Sequence, residues 1–97
     1  MTQAKKRRPA VAITGAGSGL GRELALGFSA EGYRVFGTTQ SANETAEFQN
    51  QSTGGEITLT ITDITKEEEV INWGEKVRKL LKGDGLDLLI NNAGVLT

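Results

Sequence analysis

Four short apolar stretches recur along the chain, and between them the apolar residues change period. Ala10-Val11-Ala12-Ile13 is continuous and apolar, as expected for a strand covered on both faces, and it predicts a first strand over residues 10–14. Leu20, Leu24 and Phe28 then recur at every fourth position with Ala25 beside them, predicting a helix from Gly19 to Glu31 with one apolar stripe. Gly32 follows the last periodic residue and suits a left-handed cap. The aromatic and β-branched run from Tyr33 to Thr39 predicts a second strand. Ile57, Leu59 and Ile61 alternate with Thr58, Thr60 and Thr62, which predicts a third strand from Glu56 to Thr62 with a less buried threonine face. Val70, Trp73, Gly74, Val77, Leu80 and Leu81 keep helical spacing up to Lys82, with Gly83 as the cap, and Leu86 to Ile90 predicts a fourth, buried strand.

The polar segments add the missing punctuation. Ser41-Ala42-Asn43-Glu44 fits a capping box and opens a weaker helix over residues 41–51, with Ala42, Ala46 and Phe48 facing inward. Asn50, Ser52, Thr53, Gly54 and Gly55 make a loop. Thr65-Lys66-Glu67-Glu68 fits a second capping box, and the acidic run Glu67 to Glu69 complements the dipole of the helix it begins. The order is therefore βαβαβαβ, and alternation of this kind means a parallel sheet with right-handed crossovers. The expected architecture is the first half of a doubly wound α/β fold of Rossmann type, with strand order 3-2-1-4. In such sheets a ligand lies at the carboxyl ends of the strands, where the order reverses. Four segments converge there: Gly15 to Gly21, Thr39-Gln40, Asp63-Ile64 and Asn91 to Gly94.

The first of these segments is the most specific. Strand, glycine-rich turn and helix is an arrangement that binds phosphate. Gly15 lets the chain leave the strand in a tight turn, and Gly17 and Gly19 remove side chains where a pyrophosphate would approach the backbone. Gly21 lets the first helical turn pack closely. The amides of Gly19, Leu20 and Gly21 then present N–H groups at the positive end of the helix dipole. Glycines at 15, 17, 19 and 21 do not fit G-x-G-x-x-G, and no Lys-Ser/Thr pair follows to make a P-loop. The stretch reads Thr14-Gly15-x-x-x-Gly19-x-Gly21.

That motif, Asp63 at the end of the third strand, and Asn91-Asn92-Ala93-Gly94 after Leu88-Leu89-Ile90 together resemble the short-chain dehydrogenase/reductase family, over residues 10–94. Val35 to Thr39 and the helix after Thr65 are also similar to 3-oxoacyl-carrier-protein reductases of that family. The resemblance implies an NAD(P)-dependent oxidoreductase moving hydride between a nicotinamide and a carbonyl or alcohol substrate. It implies that residues 14–21, with Ser18 and Leu20 among them, hold the pyrophosphate, and that Thr39 and Gln40 lie near the ribose. Asp63 would accept from the adenine amino group, and the Ile64 backbone would line that pocket. Asn92, Ala93 and Gly94 would pass the adenosine ribose, while Asn91 or Asn92 ties the fourth strand to its neighbours. The domain reading is a basic tail over residues 1–9 and a partial NAD(P)-binding domain over residues 10–97.

The family's proton donor is a tyrosine in Tyr-x-x-x-Lys, aided by a serine and a further asparagine, all beyond the Asn-Asn-Ala-Gly motif. The one tyrosine here, Tyr33, is followed four residues on by Gly37, so it reads as a packing residue and no catalytic residue is named. A substrate is expected only for a longer form. A second reading from a different class is a non-catalytic nucleotide-binding or interaction fragment that associates with full-length relatives. Cofactor choice leans slightly toward NADP over NAD, because no acidic residue lies between Tyr33 and Asn43 to bond a ribose 2′-OH or repel a 2′-phosphate.

Composition narrows the remaining classes. The chain has 97 residues, one small domain at most, with a net charge of −1, which gives no reason to expect nucleic acid or an anionic surface as partner. It contains neither cysteine nor histidine, so disulfides, thiolate nucleophiles and the usual zinc sites are excluded. Lys5 to Arg8 precede no apolar segment of the kind a secretory signal needs, and no stretch is long enough to span a membrane. The expectation is a soluble cytoplasmic protein with no metal and no membrane partner, and with self-association through the outer edge of the fourth strand.

Overall fold

The computed structural model describes residues 8–45 and 56–92. Within them, β1 (Ala10–Ile13), β2 (Arg34–Thr39), β3 (Glu56–Ile61) and β4 (Leu88–Ile90) form one parallel sheet in the order β3-β2-β1-β4. Two long helices, α1 (Gly19–Ala30) and α2 (Glu67–Leu81), cover opposite faces, and residues 42–45 are also helical. Element order and strand order match the expected doubly wound half. The basic tail over residues 1–7, the later part of the helix expected over residues 41–51, the loop through Gly55, and Ala93 and Gly94 lie outside the described residues.

β1 is the buried axis of the sheet, with all four residues inaccessible or nearly so. Its alternation splits the core in two. Val11 and Ile13, with Val35, Ala16 and Ala25, form the α1 side, flanked by Leu24, Phe28, Ile57, Leu59 and Ile90. Ala10 and Ala12, with Phe36, form the α2 side against Trp73, Val77 and Leu81. The register explains the split: Ala12 lies between Phe36 and Leu89, and Ile13 between Gly37 and Ile90.

The buried faces of both helices are narrower than their apolar patterns. On α1 the fully buried residues are Gly21, Ala25 and Ser29; Leu24 and Phe28 flank them, and Leu20 is 59% exposed. The helix starts so close to the turn before it that only small side chains fit beneath it, and Leu20 is turned outward. On α2, Trp73, Val77 and Leu81 carry the burial, while Gly74 and Leu80 are exposed. Ile61, expected on the inner face of β3, is 57% exposed on this edge strand. β4 is shorter than expected and not buried: Leu86, Leu88 and Leu89 are exposed. Its approach is set by Asp87, whose amide donates to the Ala10 carbonyl (2.9 Å) while its Oδ2 accepts from the Ala10 amide (2.8 Å).

Neither capping box forms. The residue before α2 is Lys66, without a side-chain cap; Asp63 binds Thr65 instead, and the Asp63 amide donates to Glu69 Oε1 (2.8 Å). Glu67, Glu68 and Glu69 do occupy the first turn of α2. Ala42 is exposed rather than inward-facing. Gly32 and Gly83 adopt positive φ (93° and 92°) just beyond the two helices, as their cap roles require, and Lys82 also takes a left-handed conformation.

One glycine inside β2 is needed for packing. A Cβ on Gly37 would lie 2.5 Å from Ala16 Cβ and 2.9 Å from Leu59 Cδ2, so Ala16 closes over β2 only because position 37 is bare. We expect Gly37→Val to destabilise the fold by about 1–3 kcal/mol through overpacking. Thermal melting checks this; an unchanged midpoint would show that Ala16 and Leu59 have room to yield.

Candidate functional site

The turn after β1 is fixed by hydrogen bonds to the ends of its neighbours. Gly15 takes φ 66°, its amide donates to Thr38 Oγ1 (2.9 Å), and the Ala16 amide donates to the Thr38 carbonyl (2.8 Å). Ser18 is extended and leads directly into α1, making no side-chain cap. Gly19 also has positive φ (57°), and a side chain there would point into open space. The first-turn amides of α1 have no helical acceptors and mark its positive end.

On the other side of the turn, the end of β4 is tied in. The Thr14 amide donates to the Ile90 carbonyl (3.0 Å), Thr14 Oγ1 donates to Asn91 Oδ1 (3.0 Å), and Asn92 Nδ2 donates to the Gly15 carbonyl (3.2 Å). A Cβ on Gly21 would overlap that same carbonyl and lie 2.7 Å from Asn92 Nδ2. Gly21 therefore packs on the turn itself, and both asparagines brace it.

A cavity of about 320 Å³ opens between the turn and the carboxyl ends of β2 and β3. Gly15, Gly17 and Ser18 line it from the turn, Thr38 and Thr39 from the end of β2, Gln40 from just beyond it, and Ile64 from the segment after β3. Six of these seven were anticipated from the sequence. Thr14, Gly19, Leu20, Gly21, Asp63, Asn91 and Asn92 do not line the cavity. Thr38, Ser41, Glu44 and Thr62 line it as well and were not anticipated. Glu44 is the consequential one. Its Oε1 accepts a hydrogen bond from Thr39 Oγ1, which in turn accepts from the Ser41 amide (3.2 Å). A Cβ on Gly17 would collide with both the Glu44 carboxylate and the Thr39 hydroxyl. The residue just beyond the interval read as free of acid thus places a carboxylate at the cavity wall.

Asp63 bonds to Thr65 through one carboxylate oxygen. Its Oδ1 accepts from the Thr65 hydroxyl (2.6 Å) and the Thr65 amide (3.0 Å). These bonds, the hydroxyl's first, together with the charge of Lys66, hold its carboxyl below the ordinary value. Tyr33 packs edge-on against Phe28, with ring centroids 4.8 Å apart, and does not line the cavity. Among the described residues no group of three or more acidic side chains could hold a metal, and no helix is long and apolar enough to cross a membrane.

A family model described as short chain dehydrogenase matches residues 9–97. The chain belongs to the short chain dehydrogenase family. It is 39% identical over 90 residues to epidermal retinol dehydrogenase 2 of Mus musculus, covering 90% of this chain and 28% of that protein. Its structure is similar to a Pseudomonas aeruginosa RhlG/NADP active-site complex (TM-score 0.76, 27% identity), covering 90% of this chain and 35% of that one. It is also similar to a 3-ketoacyl-(acyl-carrier-protein) reductase from Brucella melitensis complexed with NADH (TM-score 0.73, 25% identity), covering 84% and 32%. The chain thus spans about a third of the length of these relatives. An oxidoreductase family is shown; the reading as a non-catalytic interaction fragment is not favoured.

The Asp63 bonds predict a pH effect. A carboxyl whose folded-state pKa lies below its unfolded value stabilises the fold above the unfolded pKa, and that contribution is lost as pH falls through the folded value. Wild type should therefore be more stable than Asp63→Asn near neutrality, with the gap closing in acid below the ordinary aspartate range. Urea denaturation over a pH series checks this; a gap independent of pH would show that the Thr65 bonds do not depend on the charge.

Proposed function

We propose that this chain supplies the adenosine-side part of an NAD(P) site in an oxidoreductase that transfers hydride between a nicotinamide and a carbonyl or alcohol substrate. The observation that carries this reading is the cavity at the carboxyl ends of β2 and β3, opening beside the glycine-rich start of α1. The residues fit such a group. The wall is polar and open, Gly19 leaves room at the first helical turn, and the helix start favours an anion there. Similar structures carrying NADP and NADH support the assignment.

In this reading the turn from Gly15 to Gly19 and the α1 amides take the phosphates. Ile64 and Thr62 form the inner wall toward a base, and Thr39, Gln40 and Ser41 form the wall toward a ribose. Asn91 and Asn92 act from behind, holding the turn against β4. When bound, the nicotinamide supplies or accepts the hydride. A proton donor for the carbonyl oxygen is expected from the family's Tyr-x-x-x-Lys, for which Tyr33 has no counterpart role.

Two outcomes test the reading. Gly19→Val puts a β-branched side chain into the space before the helix start, in a backbone conformation that such residues disfavour. Calorimetry should show dinucleotide affinity reduced by about tenfold or more, a loss of about 1.4 kcal/mol. Unchanged affinity in a variant whose circular dichroism matches wild type would overturn the phosphate assignment. Separately, β4 forms an outer edge of the described sheet and exposes Leu88 and Leu89. An apolar unpaired edge is a template for strand addition. The chain by itself should self-associate in sedimentation, and Leu89→Lys should shift it toward monomer; a monomeric wild type would overturn this.

A further inference from the structure

We propose that Glu44 sets the ribose-side selectivity of the cavity and directs it toward the dinucleotide without a 2′-phosphate. This rests on the nucleotide reading above. Glu44 is not at the end of β2, where an acid would be sought from the sequence, but lies in the helical segment that follows. It reaches back because the Thr39 hydroxyl, itself anchored to the Ser41 amide, donates to its Oε1. Gly17 leaves the space that this pair fills, so the carboxylate lies against both the turn and the strand end.

Charge decides what this wall accepts. Among the described residues lining the cavity, Glu44 is the charged one; neither lysine nor arginine lines it. Arg34, at the opposite end of β2, and Lys76 bond to groups that do not line the cavity. The Arg34 guanidinium donates to the Leu80 carbonyl (2.7 Å) and sits 3.8 Å from Glu56 and 3.9 Å from Asp84. Lys76 Nζ donates to Thr60 Oγ1 (3.1 Å). A phosphate monoester on the ribose would meet a carboxylate with no cation lining the cavity to offset it. A ribose hydroxyl would instead find an acceptor already held in place. In a partly desolvated cavity like charges at short range repel strongly, whereas a hydroxyl bonding a carboxylate gains a charge-assisted hydrogen bond.

The test is calorimetric titration of the full chain with NAD⁺ and with NADP⁺, for wild type and for the isosteric Glu44→Gln. Wild type should prefer NAD⁺, and Glu44→Gln should move the affinity ratio toward NADP⁺ by about tenfold. Adenosine 5′-monophosphate against adenosine 2′,5′-bisphosphate on wild type gives the same comparison without any variant. A wild-type preference for the 2′-phosphorylated ligand, or an unchanged ratio in a folded Glu44→Gln, overturns the proposal and leaves the nucleotide site standing. Failure of both dinucleotides to bind overturns the nucleotide reading, and this proposal falls with it.

Discussion

The bare Cα of Gly21 is the constraint on which the rest of the structure depends. At this point the first turn of α1 touches the Gly15 carbonyl, and any Cβ would overlap that oxygen. The same oxygen accepts from Asn92 Nδ2, so one carbonyl joins the turn after β1, the start of α1 and the end of β4. Two consequences follow. α1 comes down so near the sheet that its buried stripe must be small, which is why Gly21, Ala25 and Ser29 lie underneath rather than the leucines. And the helix start is held at the edge of the cavity, with Gly15 pinned to Thr38 on the other side.

The fold was legible because its signals were redundant. β1 reads as a continuous apolar run and β3 as an alternation, and each connects to a segment of helical period; parallel pairing then leaves few orders for the strands. Side-chain detail was less legible. Leu20, Leu24 and Phe28 mark a helix, but apolar spacing does not reveal how closely that helix approaches its sheet. Ser41 to Glu44 and Thr65 to Glu68 satisfy a local rule for helix starts, yet in both places a partner outside the motif was available. Thr39 takes the Glu44 carboxylate, and the amide of Asp63 takes that of Glu69. Local capping patterns give the position of a helix start with more fidelity than the partner of each polar group.

The candidate site shows the same division. Gly15, Gly17, Ser18, Thr39, Gln40 and Ile64 were accessible because strand ends and glycine turns are visible in one dimension. Thr38 and Thr62 were missed although each adjoins a predicted segment; a strand twisting at its end brings successive residues toward one cavity, which strict alternation does not anticipate. Glu44 was missed for another reason. Its role depends on a helical turn folding back beside the end of β2, a contact between residues that share no motif. Asp63 was visible as a polar residue at a strand end; the bonds its Oδ1 makes to Thr65 were not.

The hydroxyl-rich wall has a physical logic of its own. Thr38 Oγ1 accepts from the Gly15 amide, Thr39 Oγ1 links the Ser41 amide to Glu44, and Thr62 Oγ1 donates to the Thr60 carbonyl at 3.2 Å. Hydroxyls engaged in this way need little reordering when a ligand arrives, which lowers the entropic cost of binding. They also have less left to offer. A carboxylate has about four lone-pair sites, and Thr39 engages Glu44 through one of its oxygens. Part of the acceptor capacity remaining in this wall therefore lies at Glu44, on a side chain held in place by the same threonine that shapes the end of β2.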